Sequence, residues 1–264
     1  MCLAAFSLVI IAAGGYFAFS AFPAFSASAT LRPDIIIQPL IQNFAEPSAY
    51  VPFWTMVAAA MYSLVSLIVV LYFFEKTQAP EVLFLCFFSI SLSFEFTRLL
   101  IPIAEVLSLP SIYSVAAFRF LLFGRYFGLF SLFAASIYAA GFDVQKQQTV
   151  FFMMLLSALL IAVNIPVDSL NWDSTFIFRK GYNTMLSRVE HGIFAVTIIN
   201  FFISSYIRDS RSFIIIGLGV LMALLGRNIL LYSDTWITPL PGLLLLAFGK
   251  WIACSRLHKI YLWL

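Results

Sequence analysis

Six ionisable side chains sit inside stretches otherwise apolar enough to cross a bilayer. They are Glu95 and Arg98 in SFEFTRLL, Arg119 and Arg125 in FRFLLFGRYFGLF, Arg227 in LLGRNILLY, and Lys250 in LLAFGKWIAC. A charge at the bilayer centre costs about 3 kcal/mol or more, so such residues turn to a bundle interior or a wet cavity and mark ligand sites, ion paths or internal ion pairs. Glu95 and Arg98, spaced i,i+3, share a helix face and partly neutralise each other. Arg119 and Arg125 are six residues apart and point about 120° away from each other on one helix. Three of the cations follow a glycine (Gly124-Arg125, Gly226-Arg227, Gly249-Lys250). A residue without a side chain leaves room there for a neighbouring helix or a ligand.

Five cations against one acid are not stable alone in a low dielectric. A bound anion, a lipid phosphate or water would resolve the excess, and the planar fork of arginine suits phosphate and carboxylate. The expected ligand-binding set is therefore Arg125, Arg227, Arg98, Arg119 and Lys250, with Glu95 orienting the guanidinium groups. A purely structural Glu95–arginine network that fixes helix register explains the same residues. Snorkelling to the interface is a further alternative for Arg98, Arg119 and Arg227. Glu190 and His191, at the expected start of a later span, read either as an external pH-sensitive pair or as an ordinary polar helix start. Asn164 and Pro166 suggest a kink or opening in one span, and Asn200 a hydrogen bond to a neighbouring helix.

Other chemistries lack their residues. There is no P-loop, HExxH, GxSxG or dinucleotide fingerprint, and Glu95 has no second intramembrane acid with which to hold a metal. The two histidines, His191 and His258, are far apart, and Cys2, Cys86 and Cys254 form no CxxC, so neither a metal centre nor a disulfide framework nor any cofactor is expected. No basic, aromatic-interleaved polar segment points to nucleic acid.

The elements that must position the charges are transmembrane helices. The 264 residues are 62% hydrophobic and only 10% charged, and the mean hydropathy is +1.00. A soluble domain carries about a quarter charged residues, so the solvent here is lipid. Apolar windows fall at 3–26, 51–74, 82–103, 113–140, 150–167, 191–207, 213–232 and 240–257. Short polar links between them predict antiparallel neighbours, and the fold class is all-α, a polytopic bundle of seven to eight helices. The organisation expected is a first transmembrane helix or signal segment at 1–29, an external loop at 30–50 and a single-domain bundle at 51–264. The first window has no Lys or Arg, unlike a signal peptide, yet ends in the small-x-small Ala27-Ser28-Ala29, so retention and cleavage both stay open.

Loop cations divide six (Lys76, Lys146, Arg208, Arg211, Arg256, Lys259) against four (Arg32, Arg179, Lys180, Arg188), which favours the first side, and with it the C-terminus, as cytoplasmic. The expected location is a bacterial cytoplasmic membrane, with segment 168–190 outside and Trp54, Tyr72, Trp172 and Trp236 in the interfacial belts.

From Met61 to Phe142 the chain runs through LYFFEKTQAPEVLFLCFFSISLSF, a short polar turn followed by an aromatic-rich helix, and then RFLLFGRYFGLFSLF. This stretch resembles bacterial seven-transmembrane sensor modules of the diverse intracellular signalling type. Such proteins usually carry a sensory and an output domain that this sequence lacks, so the resemblance implies a sensor or accessory subunit that acts through a membrane-protein partner. The leading expectation is thus a non-enzymatic receptor-like protein, surrounded by membrane lipids, that binds an anionic small molecule or lipid head group. A transporter of an anionic or lipid-linked substrate is the alternative. A lipid-modifying enzyme drawing on Glu95 or His191 is the third.

Overall fold

The computed structural model describes residues 50–74, 79–173 and 175–262, together with Leu8, Val9 and Ala12. The first apolar window, the Ala27-Ser28-Ala29 motif, the 30–50 loop up to Ala49 and Lys76 lie outside the described residues. Among the described residues seven helices are long and apolar enough to cross a membrane, and the chain is a multi-pass, all-α membrane protein.

The elements follow one another as α1 (Tyr50–Phe74), α2 (Pro80–Ser93), a 3-10 segment (Phe94–Leu99), α3 (Leu100–Val106), α4 (Ser111–Ala139), a 3-10 turn (Val144–Lys146), α5 (Gln147–Asn164), β1 (Val167–Trp172), β2 (Phe178–Lys180), α6 (Asn183–Ile207), α7 (Ser212–Leu231) and α8 (Pro239–Leu262). α2, the 3-10 segment and α3 together make one span. Helices dominate because a helix satisfies its own backbone polar groups where no water can. The two strands form an antiparallel hairpin beyond the end of α5.

Lipid and protein compete for each helix face, and the spans divide sharply. The 80–105 and 111–139 spans are 78% and 72% buried over their most apolar windows, whereas those of α5 and α6 are 17% and 11% buried. α4 is the centre, packed by α2, α3, α5 and α6. α5 offers it only the stripe Met154, Ala158 and Ala162, at helical spacing, and turns Phe152, Leu156, Leu160 and Val163 outward. α6 offers Thr197, Phe201 and Ser204. Asn200 donates from α6 to Ser136 of α4 at 3.2 Å, the expected interhelical hydrogen bond.

Glycine sets the closest approaches. α7 and α8 cross with Gly219 and Gly226 facing Gly249 and Gly242; a Cβ on Gly249 would lie 2.5 Å from both the Ala223 nitrogen and the Gly219 carbonyl oxygen. The Gly124–Gly128 pair of α4 lies against Phe94 and Ser91 in the same way. Without a hydrophobic drive between helices in lipid, such backbone-to-backbone contact is what holds them. The glycine of each Gly–cation pair therefore makes room for a helix.

Two expectations change. Pro166 neither kinks nor opens a helix: α5 stops at Asn164, and Ile165 takes the extended conformation that precedes proline. The 168–190 connection is not a plain loop, because it contains the hairpin and the first two turns of α6, whose NTMLSRVE sequence is too polar to register as an apolar window.

Gly226→Val drives a side chain into the backbone of α8 and should lower stability by about 1–3 kcal/mol, read as a fall in thermal midpoint in detergent. Gly192→Ala, at a helical position with nothing within 4 Å of the new Cβ, is the control and should leave the midpoint unchanged or raise it.

Candidate functional site

The charges of α2 are aligned by a change of helix type. Ser91 and Ser93 at the end of α2 donate to the carbonyls three residues back at 2.6 and 2.7 Å, and Thr97 does so at 2.8 Å. Pro102, with no N–H, cannot continue an α-helical ladder to Arg98. The chain tightens to 3-10 winding over Phe94–Leu99 and restarts as α3, with Pro102 in the first turn, where a missing donor costs nothing. In 3-10 winding residues i and i+3 eclipse, which stacks Arg98 directly over Glu95.

Glu95 is the hub. Its Oε1 accepts from Arg125 Nε at 2.8 Å, and its Oε2 accepts from Arg125 Nη2 at 3.0 Å and from Arg98 Nη1 at 3.2 Å. The Arg125 contact is the bidentate geometry that makes charge-assisted pairs strong. Arg98 donates onward from Nη1 to the Leu231 carbonyl of α7 at 3.1 Å and from Nε to the Thr175 carbonyl of the hairpin at 3.0 Å; its Nη2 also reaches Thr175. Arg227 of α7 donates to the Arg125 carbonyl at 3.0 Å. Glu95, Arg98, Arg125 and Arg227 are 2, 1, 7 and 5% exposed. None of them snorkels.

The hairpin seals this end of the bundle. Asp173 Oδ1 accepts from Thr175 N at 2.9 Å, Thr175 Oγ1 at 2.7 Å and Ile177 N at 3.2 Å. That turn fixes the Thr175 carbonyl on Arg98. It also seats Phe176, 1% exposed at φ 58°, among Met56, Ala60, Phe96, Leu99 and Ile103. Left-handed backbone at a bulky residue is strained, and burial of the ring offsets the cost.

Beside the network lie two cavities that share Arg125 and Tyr232. The inner one, of ≈ 10 Å³, is bordered by Tyr126, Glu190, Arg227 and Asn228, and holds no more than about one water molecule. The outer one is a vestibule of ≈ 390 Å³ reached past the hairpin and lined by Ser169, Asp173, Arg179, Lys180 and Asn183. The Arg125 guanidinium carbon stands 5.4 Å from the Tyr232 ring centre. Arg125 Nη1 and Arg227 Nε are buried without a hydrogen-bond partner. Glu190 accepts from the Tyr126 hydroxyl at 2.9 Å and pairs with Lys180 at 3.8 Å.

The six charges expected in one cluster thus separate. Glu95, Arg98, Arg125 and Arg227 come together. Arg119 is exposed on the far face of α4 from Arg125, as six-residue spacing requires. Lys250 is buried elsewhere, against Ser66 and Ser89. Arg98 has all three nitrogens engaged by protein and is a tie. Glu190 and His191 do not act as a pair: the acid turns to Tyr126, while the exposed histidine ring meets its own helix at Ser187. Sequence reasoning treated Arg179 and Lys180 as loop charges only, and missed Tyr126, Tyr232 and the role of Glu190. Their proximity depends on the hairpin fold, and the one local sign of it was the Asp173–Thr175 turn.

Glu95→Gln strands two guanidinium groups and should destabilise the protein by about 3–5 kcal/mol. Adding Arg125→Gln should cost less than the sum of the single changes, with a coupling of about 0.5–3 kcal/mol in a double-mutant cycle of unfolding in detergent. Additive costs would show that the pair is not coupled. No protein-family model matches this chain, and no curated protein is significantly similar to it.

Proposed function

We propose that this membrane protein is a non-enzymatic binder of an anionic ligand or lipid head group, taken up in the vestibule over Arg125. The observation that carries the reading is a buried arginine, Arg125, whose Nη1 has no hydrogen-bond partner and whose other nitrogens are fixed by Glu95, and which borders a cavity together with Arg179 and Lys180. Among the described residues the cavity lining carries three cations, Arg125, Arg179 and Lys180, against one acid, Asp173, so the positive charges are in excess. A pre-oriented guanidinium beside two flexible cations suits an oxoanion, phosphate or carboxylate.

Arg125 is also the link between ligand and fold. An anion on Arg125 competes with Glu95 for the same guanidinium, and through Arg98, which shares that carboxylate, the competition reaches α7 and the hairpin. Binding would therefore be read as a change in packing at this end of the bundle, as a receptor or accessory subunit requires. The loop-charge bias supports an orientation with the vestibule on the external face and the C-terminus inside, and the membrane proposed is a bacterial cytoplasmic one.

In nanodiscs, inorganic phosphate and phosphatidylglycerol should each be tested against zwitterionic phosphatidylcholine. A ligand at about 100 times its Kd adds about 2.7 kcal/mol, which moves the thermal midpoint by several degrees. That gain should shrink at high salt. It should vanish in Arg125→Gln and in the Arg179→Ala/Lys180→Ala double variant, and persist in Arg119→Ala. Equal gains in all four proteins would sink the reading. Anion flux across vesicles, lost in Arg125→Ala, would move the assignment to a transporter.

A further inference from the structure

Among the described residues, Lys250 is the one buried cation that the Glu95 network does not use. It sits midway along α8, 4% exposed, and its ammonium donates to the hydroxyls of Ser66 on α1 and Ser89 on α2. Those hydroxyls lie 3.2 Å from each other, and Ser89 also bonds to the Leu85 carbonyl at 3.2 Å. No carboxylate lies within ion-pair distance of Lys250 among the described residues. Two neutral hydroxyls take up two of the ammonium's three N–H bonds and supply no countercharge. An ammonium at this depth without an acid is costly, and a bound anion is one arrangement that relieves it.

Beside Lys250 a groove of ≈ 410 Å³ opens between α1 and α8. Its walls include Val65, Val69, Phe248, Trp251 and Cys254, and among the described residues Lys250 is the only charged one lining it. Val65, Phe248 and Trp251 are exposed, so the groove opens to the acyl chains of the bilayer. The volume is within the range of small-molecule sites, which are apolar with a few placed polar groups. The combination is an apolar channel with one buried positive charge, entered sideways from lipid.

We propose that the α1–α8 groove binds a long-chain carboxylic acid, its carboxylate on Lys250 and its alkyl chain leaving toward the bilayer. Charge complementarity names the head group, and the apolar walls and lipid-side mouth name the tail. The site is independent of the vestibule, since Lys250 touches neither Glu95 nor any residue bonded to it.

The test is saturable binding of radiolabelled palmitate to the protein in nanodiscs, with hexadecanol as the neutral competitor. Palmitate should displace the label, and hexadecanol should do so at least about tenfold less well. Lys250→Met should weaken binding by about tenfold or more, and so should Ala247→Trp, which fills the groove while leaving the lysine in place. Arg125→Gln should bind as the parent does, which separates this site from the vestibule. Absence of saturable binding, equal displacement by hexadecanol, or unchanged binding in a folded Lys250→Met or Ala247→Trp protein would each overturn the proposal. Should Lys250→Met fail to fold, Ala247→Trp and the hexadecanol comparison decide it alone.

Discussion

The carboxylate of Glu95 lies in the membrane interior, and the geometry around it follows from the need to pair it. A lone carboxylate in a low dielectric is too costly to persist, and a pair with bidentate hydrogen bonds is the arrangement that offsets the desolvation. Arg125 supplies that pair from the central helix, and Arg98 supplies a second contact from the same 3-10 turn. The remaining donors of Arg98 must then find acceptors, and these are the carbonyls of Leu231 and Thr175. One acid thereby determines where the last turn of α7 and the tip of the hairpin can rest. The glycine contacts answer the same demand from the other side, because Gly124 brings Phe94, the residue before Glu95, onto α4 closely enough for the side chains to meet.

The network is over-supplied with positive charge. Three guanidinium groups face one fully buried acid, and Glu190, 24% exposed, contributes from the edge of the inner cavity. The position of the free donors matters more than the count. Arg98 is spent on Glu95 and backbone carbonyls, whereas Arg125 keeps one nitrogen unpartnered and borders a cavity.

Much of this was legible in the chain, for identifiable reasons. Apolar windows located the seven described spans to within a few residues, except at α6, because hydropathy ends where the bilayer ends and a helix need not. The Glu95–Arg98 spacing and the buried state of Glu95 and Arg125 could be read from type and position, whereas for Arg98 and Arg227 the sequence left snorkelling open. The separation of Lys250 could not, since it depends on which helices become neighbours, and sequence periodicity says nothing about helix order around a bundle. The 3-10 turn left a signal in Ser91, Ser93, Thr97 and Pro102 that apolar windows do not register. The hairpin was hidden for a different reason: three- and six-residue strands carry too little alternation to be distinguished from a loop.

The order in which the charges occur along the chain has a consequence for biogenesis. Glu95 and Arg98 enter the membrane on one span and Arg125 on the next, so the acid can be paired as soon as α4 has left the insertion machinery. Arg227 follows a hundred residues later and donates to the backbone carbonyl of Arg125, a group that stays in place whether or not the carboxylate pair is intact. Co-translational assembly can therefore proceed in two stages. A nearly neutralised α1–α4 unit forms first, and the distal helices then dock on main-chain acceptors that it already presents.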